Sequence, residues 1–176
     1  MNDLRTSAPA TDLLMYSMKE EDVVAAMTRP GILVYSDAMP YPFDDGRTGG
    51  RDTPFGTGKG HPRGAGTHTK VLRMVRDDQK IPLMDALSKM TVESANFPGP
   101  HVAAMRIHGR LQQGMTADIT IFDPETVTDN ASFEEGKNTL PSTGIRHVIV
   151  NGKIVVKVSK VQRVNAGVAI RNAVED

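Results

Sequence analysis

Three residues in the first half of the chain have the types and places to do chemistry: Asp37, His61 and Arg63. Asp37 follows the apolar run Ile32-Leu33-Val34-Tyr35. The C-terminal edge of a buried strand is where α/β proteins build sites, because the loops beyond it converge there. A carboxylate at that edge can ligate a metal, or take a proton from water and pass it to a leaving group. The structural alternative for Asp37 is a helix N-cap or a turn residue. Arg63, in His61-Pro62-Arg63, stands just before a helix and can grip a substrate carboxylate bidentately. Its alternative is an ordinary solvated or salt-bridged arginine. His61 reads as a proton carrier, a ligand or plain surface. The five histidines (His61, His68, His101, His108, His147) are never two, three or four positions apart, so no self-contained metal site is visible. Zero Cys removes disulfides, thiolate nucleophiles and Cys-ligated metal. Gly56-Thr57-Gly58-Lys59-Gly60 has the look of a phosphate loop, but the earlier Gly is missing and Gly60 stands where a Ser or Thr would hold magnesium.

These residues need elements to position them. Ser17 followed by Glu20 is a capping-box signature, with Val23, Val24 and Met27 as one apolar stripe, and predicts a helix over about Met18 to Thr28. Pro30-Gly31 breaks it. The run Ile32 to Tyr35, short, partly β-branched and not alternating, predicts a strand buried on both faces, as in a parallel α/β sheet. Of the 16 Gly and 11 Pro, 12 fall between Pro40 and Gly66, which predicts a long polar loop. Beyond it, Val71, Leu72 and Val75 give a helix over Thr67 to Asp78, and Pro82 opens a second with Leu83, Ala86, Leu87 and Met90 on one face. Met27, Met74 and Met90 read as core filler. From about Gly109 the period changes to two. Ile119 and Ile121 alternate with Asp118 and Thr120, and Asn151-Gly152 joins two β-branched runs, the strongest short-range hairpin signal. The last third is β-rich.

Composition narrows the function classes. The chain has 176 residues with 21 Lys+Arg against 21 Asp+Glu, so its balance suits neither nucleic acid nor an anionic membrane. Hydrophobic residues at 39% are ordinary for a soluble domain, and a domain of this length buries roughly 70% of its unfolded surface. No apolar run approaches the roughly 20 residues of a bilayer span, and MNDLRTSAPATD has no apolar signal core, so cytoplasmic is the default compartment.

Taken together, Tyr35-Ser36-Asp37-Ala38, the His61-Pro62-Arg63 loop with Gly66-Thr67, Lys89-Met90-Thr91, the run Gly109 to Val127 and the run Ile145 to Val156 resemble the amidohydrolase superfamily. They look most like its N-acyl-D-amino-acid deacylases, or D-aminoacylases, including those for D-glutamate derivatives. The segment G-x-ADI-x-I-FD speaks for the superfamily, and HPR-G-x-GT narrows it to the D-aminoacylase branch. The resemblance implies an α/β fold, a (β/α)8 barrel whose last strand ends in the catalytic Asp, with a small β-sandwich beside it. Residues 1–108 would be the C-terminal part of the barrel, and residues 109–176 sandwich strands and a tail. It implies that Asp37 is general base and metal ligand, that Arg63 binds the substrate α-carboxylate, and that His61 and Ser36 line the substrate site. The implied cofactor is zinc, with most ligands from other strands. In the implied reaction zinc-activated water attacks the amide carbonyl, and Asp37 moves the proton to the departing amine.

The family's His-x-His and its other barrel strands have no counterpart here, and a closed barrel needs about 250 residues. The expectation is therefore a fragment without activity by itself, whose partners are an N-acyl-D-amino acid and the missing N-terminal half or a homo-oligomeric copy. Two other readings stand beside it. One is a non-catalytic remnant or interaction module with pairing edges. The other is a cyclic-amide hydrolase of the hydantoinase or dihydroorotase kind, against which the HPR loop argues because it suits an open carboxylate.

Overall fold

The structure, a computed structural model, describes residues 19–38, 60–162 and 164–171. Helix α1 (Glu20–Thr28) brings Met27, Val23 and Val24 onto one face. Its N-cap is Lys19, so Glu20 opens the helix rather than closing a capping box. Glu20 instead pairs with Lys70 at 2.9 Å, and Ser17 lies outside the described residues. Helix α2 (Arg63–Asp78) begins four positions earlier than its apolar pattern indicates, taking in Gly64 and Gly66. Gly66 is used as a small residue: a Cβ there would come within 3.2 Å of the Asp129 Cβ. Helix α3 (Leu83–Met90) starts after Pro82 as N-cap, and α4 (Val92–Asn96) follows almost at once. Of the expected α3 stripe, Ala86 is fully buried, Leu87 and Met90 are half-buried, and Leu83 is exposed.

Met27, Val34, Val71, Met74, Ile81 and Ala86 form one core, with Val75 and Met90 packed against it. The methionines expected as core filler do fill it. The run Ile32 to Tyr35, however, is not a strand. It is extended, but no strand lies beside it among the described residues; only Val34 is buried, while Ile32 is 41% and Tyr35 57% exposed. The apolar run buries one side chain under α1, α2 and α3, and its backbone leans on a helix end instead of a ladder.

Helix α2 has two working faces. With 3.6 residues per turn, Val71, Met74 and Val75 lie on one side, toward the core, and Gly66, Thr69, Arg73 and Arg76 on the opposite side, toward residues 125–142. There Arg73 Nε meets Asp129 Oδ1 at 2.5 Å, and Arg76 donates to the carbonyls of Val127 (2.7 Å) and Glu125 (3.2 Å). The Thr69 and Ser142 hydroxyls lie 2.6 Å apart, and Ser142 also donates to the Ala65 carbonyl.

Beyond a 3₁₀ turn (Ala103–Ile107), four antiparallel strands form a meander in the order β1 (Ile119–Phe122), β2 (Ile145–Val150), β3 (Lys153–Lys157), β4 (Lys160–Val161). The Asn151-Gly152 hairpin forms as expected, with φ of 49° and 75° matching the strand twist. Val150 faces Lys153 across it. The β1 alternation is weaker than its sequence: Ile119 is half-buried but Ile121 is 47% exposed, beside a register shift at Ile121/Phe122. No residue of these four strands is fully buried, and the second layer of a sandwich is not found among the described residues. Among them, too, no helix is long and apolar enough to cross a membrane.

Candidate functional site

Two chain segments, with Asp37 and Arg63 26 positions apart, bring the candidate residues together at the N-terminus of α2. Pro62, with its φ preset, leads into the helix, and Arg63 is its first residue. On the other side the extended segment ends at Asp37, whose φ of 48° is the left-handed turn conformation that Asp tolerates. The turn alternative for Asp37 is thus realised, and it coexists with a pairing: Arg63 Nη1 lies 3.1 Å from Asp37 Oδ2. Asp37 remains 85% exposed and Arg63 40%, so the pair is open to solvent on the carboxylate side. Ser36 Oγ accepts the Ala38 N–H at 3.3 Å, which fixes the same turn.

Arg63 has more to offer than this one contact. Its Nε is buried and has no hydrogen-bond partner among the described residues. A buried N–H without an acceptor is costly, so an acceptor supplied from outside would be held strongly. A guanidinium presents two forks, and Asp37 touches only the Nη1 end, leaving Nε for a second anion.

His61 joins the pair through the backbone. Its Nδ1 accepts the Arg63 N–H at 3.1 Å, capping the helix start, and its ring meets Phe133 edge-on at 5.0 Å. Partial burial first, and the Arg63 charge second, hold its pKa below the usual imidazole range, while Asp37 pulls the other way. An acceptor Nδ1 and a lowered pKa agree on a neutral ring. Phe133 was not visible from sequence; an aromatic after Asn130-Ala131-Ser132 in a polar stretch carries no period that would mark it.

The run that follows Gly109 holds the sheet in place. Asp118 accepts the Asn151 N–H at 2.7 Å through one oxygen and faces His108 Nδ1 at 2.9 Å through the other, pinning the hairpin turn. Asp123 accepts the Glu125 N–H at 3.0 Å, which holds its carboxyl below the usual range. Asp118 and Asp123 both hold backbone in place.

Residues 45–156 match the amidohydrolase family. The chain belongs to that family. It is 36% identical to an N-acyl-D-aspartate deacylase of Alcaligenes xylosoxydans xylosoxydans over 149 residues, which is 84% of this chain and 25% of that protein. Among solved structures, a D-aminoacylase studied for its binuclear metal centre aligns with a TM-score of 0.67 at 32% identity, over 85% of this chain and 27% of its own. An N-acyl-D-glutamate deacylase of Bordetella bronchiseptica, complexed with zinc and a phosphonate inhibitor, aligns at 0.62 and 33%, over 82% and 28%. The chain therefore spans about a quarter of the length of these relatives, as a mixed α/β portion of their fold.

The described residues do not assemble a metal centre: no three His, Asp or Glu side chains among them converge on one point. At the Asp37 site a single carboxylate stands beside a guanidinium, whose charge opposes a cation there. The described residues do not by themselves fit zinc.

Proposed function

We propose that the Asp37–Arg63 pair is the reaction-bearing part of an N-acyl-D-amino-acid deacylase site, acting on a non-peptide amide whose substrate carries a free carboxylate. The observation that carries this reading is Arg63 itself: one end of its guanidinium holds Asp37, while its buried Nε lacks an acceptor among the described residues. A substrate α-carboxylate taken by the Nε edge would be fixed in register with the Asp37 carboxylate, and that is the positioning an amide hydrolysis needs. Asp37 then accepts a proton from the attacking water and returns it to the departing amine. Neutral His61 and the Ser36 turn keep the two segments in place. The described residues offer no ligand set for a zinc ion of the kind bound in the Bordetella relative, so the role given to Asp37 here is that of a base paired with Arg63. On the same reading, residues 1–108 are barrel and residues 109–176 sandwich, and the partners are the rest of the barrel or a second copy.

The test joins the chain to a separately expressed complementary barrel portion of a deacylase relative and follows N-acetyl-D-glutamate hydrolysis with zinc present. Turnover that disappears in Asp37→Ala, and a KM raised about 100-fold in Arg63→Ala, is the expected result. A folded complex with no turnover would overturn the reading in favour of an interaction module. Turnover of a cyclic amide in preference to the open substrate would move it to the hydantoinase class.

A further inference from the structure

Lys89 lies between Ala86 and Met90 on the inner face of α3 and is only 6% exposed. No carboxylate pairs with it among the described residues. Its ammonium instead donates to two backbone carbonyls, Arg29 at 2.5 Å and Ile32 at 3.0 Å. Its own carbonyl accepts the Val34 N–H at 3.4 Å and the Ser94 hydroxyl at 2.6 Å, and the Ser94 carbonyl accepts the Tyr35 hydroxyl at 3.2 Å. The junction of α3 and α4 therefore holds the chain at residues 29, 32, 34 and 35, the steps that lead to Asp37.

A buried ammonium without a counter-ion is expensive, and an apolar residue would continue the Ala86 and Met90 stripe without that cost. What the ammonium alone supplies is a donor to carbonyls that have no strand beside them. Arg29 is the C-cap of α1, a helix with no basic residue in its last turn, so the Lys89 charge also meets the negative end of that helix dipole.

We propose that Lys89 is a positioning residue for the Asp37–Arg63 site: its side chain stands in for a neighbouring strand and sets where the extended segment delivers Asp37. The functional half of this rests on the deacylase reading above. Two measurements separate them. In the full chain, amide hydrogen exchange of Lys89→Met is expected to accelerate at least about tenfold at Val34, whose N–H the Lys89 carbonyl accepts, with α2 and β2 amides within about twofold of wild type, and Lys89→Arg restores protection. In the assembly with a complementary barrel portion, K89M lowers kcat about tenfold with KM within about twofold, because Arg63 still binds the carboxylate while Asp37 is misplaced, and K89R recovers most of it. Should K89M not fold, Lys89→Gln, which keeps one donor, is expected to show intermediate values in both. Exchange that is unchanged at Val34, or that accelerates equally everywhere, overturns the positioning role whatever the assembly hydrolyses. Equal losses in kcat for K89M and K89R with normal exchange overturn it as well. A wild-type assembly that hydrolyses nothing overturns the deacylase reading and leaves the exchange result to decide the clamp.

Discussion

His61 has a local backbone contact that its sequence position did not announce. The sequence offers proton carrier, ligand or surface; the fold uses its Nδ1 to accept the Arg63 N–H. That bond exists only for the neutral ring. Because the folded-state pKa is lowered, the unfolded chain binds the proton more readily, so the contribution is present at neutral pH and is lost as pH falls below the unfolded value of about 6.5. Wild type is therefore expected to lose stability on acidification from pH 7.5 to 5, and the helix start at Arg63 to lose protection. His61→Asn, which retains an acceptor that does not titrate there, is expected to flatten that slope. Parallel denaturant titrations across the pH range compare the two, and equal slopes would show that His61 does not cap α2.

At the scale of elements, the turn from β3 to β4 is the place where local sequence and structure disagree. Val158 and Ser159 both have positive φ, 49° and 59°, between Lys157 and its partner Lys160. A β-branched residue there is strained, and neither is a turn-forming residue of the kind that marks Asn151-Gly152. Ser159 is held by its hydroxyl on the Ile145 carbonyl at 2.8 Å and its N–H on the Arg146 carbonyl, so tertiary contacts impose the turn. Val158→Asn removes the β-branch and is expected to stabilise the chain by about 0.5–1 kcal/mol. Thermal unfolding reads this directly; a lowered midpoint would mean that the positive φ at Val158, whose side chain is 62% exposed, is not a source of strain that Asn relieves.

For the molecule as a whole, α2 is the beam that joins the helical core to the segment between β1 and β2. Its Arg73–Asp129 pair spans 56 positions of sequence. Asp129 is 13% and Arg73 33% exposed, so solvent screens part of the attraction, and the pair couples by about 0.5–1.5 kcal/mol. A double-mutant cycle with Arg73→Ala and Asp129→Ala measures that coupling, and each single variant is expected to loosen residues 125–143 while the Met27–Met74 core keeps its protection. Additive effects with no loosening would show that Thr69, Arg76 and Ser142 suffice to join the two parts.

Much was legible in the residues alone. The hairpin at Asn151-Gly152, the helix after Pro82 and the methionines of the core follow from local rules, because turn chemistry and apolar spacing act over a few positions. The motifs around Asp37, Arg63 and Asp118 were enough to indicate the family, though not that Asp118 pins a turn. Tertiary structure alone decided the rest. It set the buried Lys89 on bare carbonyls, the left-handed Asp37, and the pairing of Asp37 with a residue 26 positions away. It also left Ile32 to Tyr35 without a neighbouring strand among the described residues. An apolar run states that a segment seeks burial; what covers it, and which polar groups satisfy its backbone, depends on elements distant in the chain.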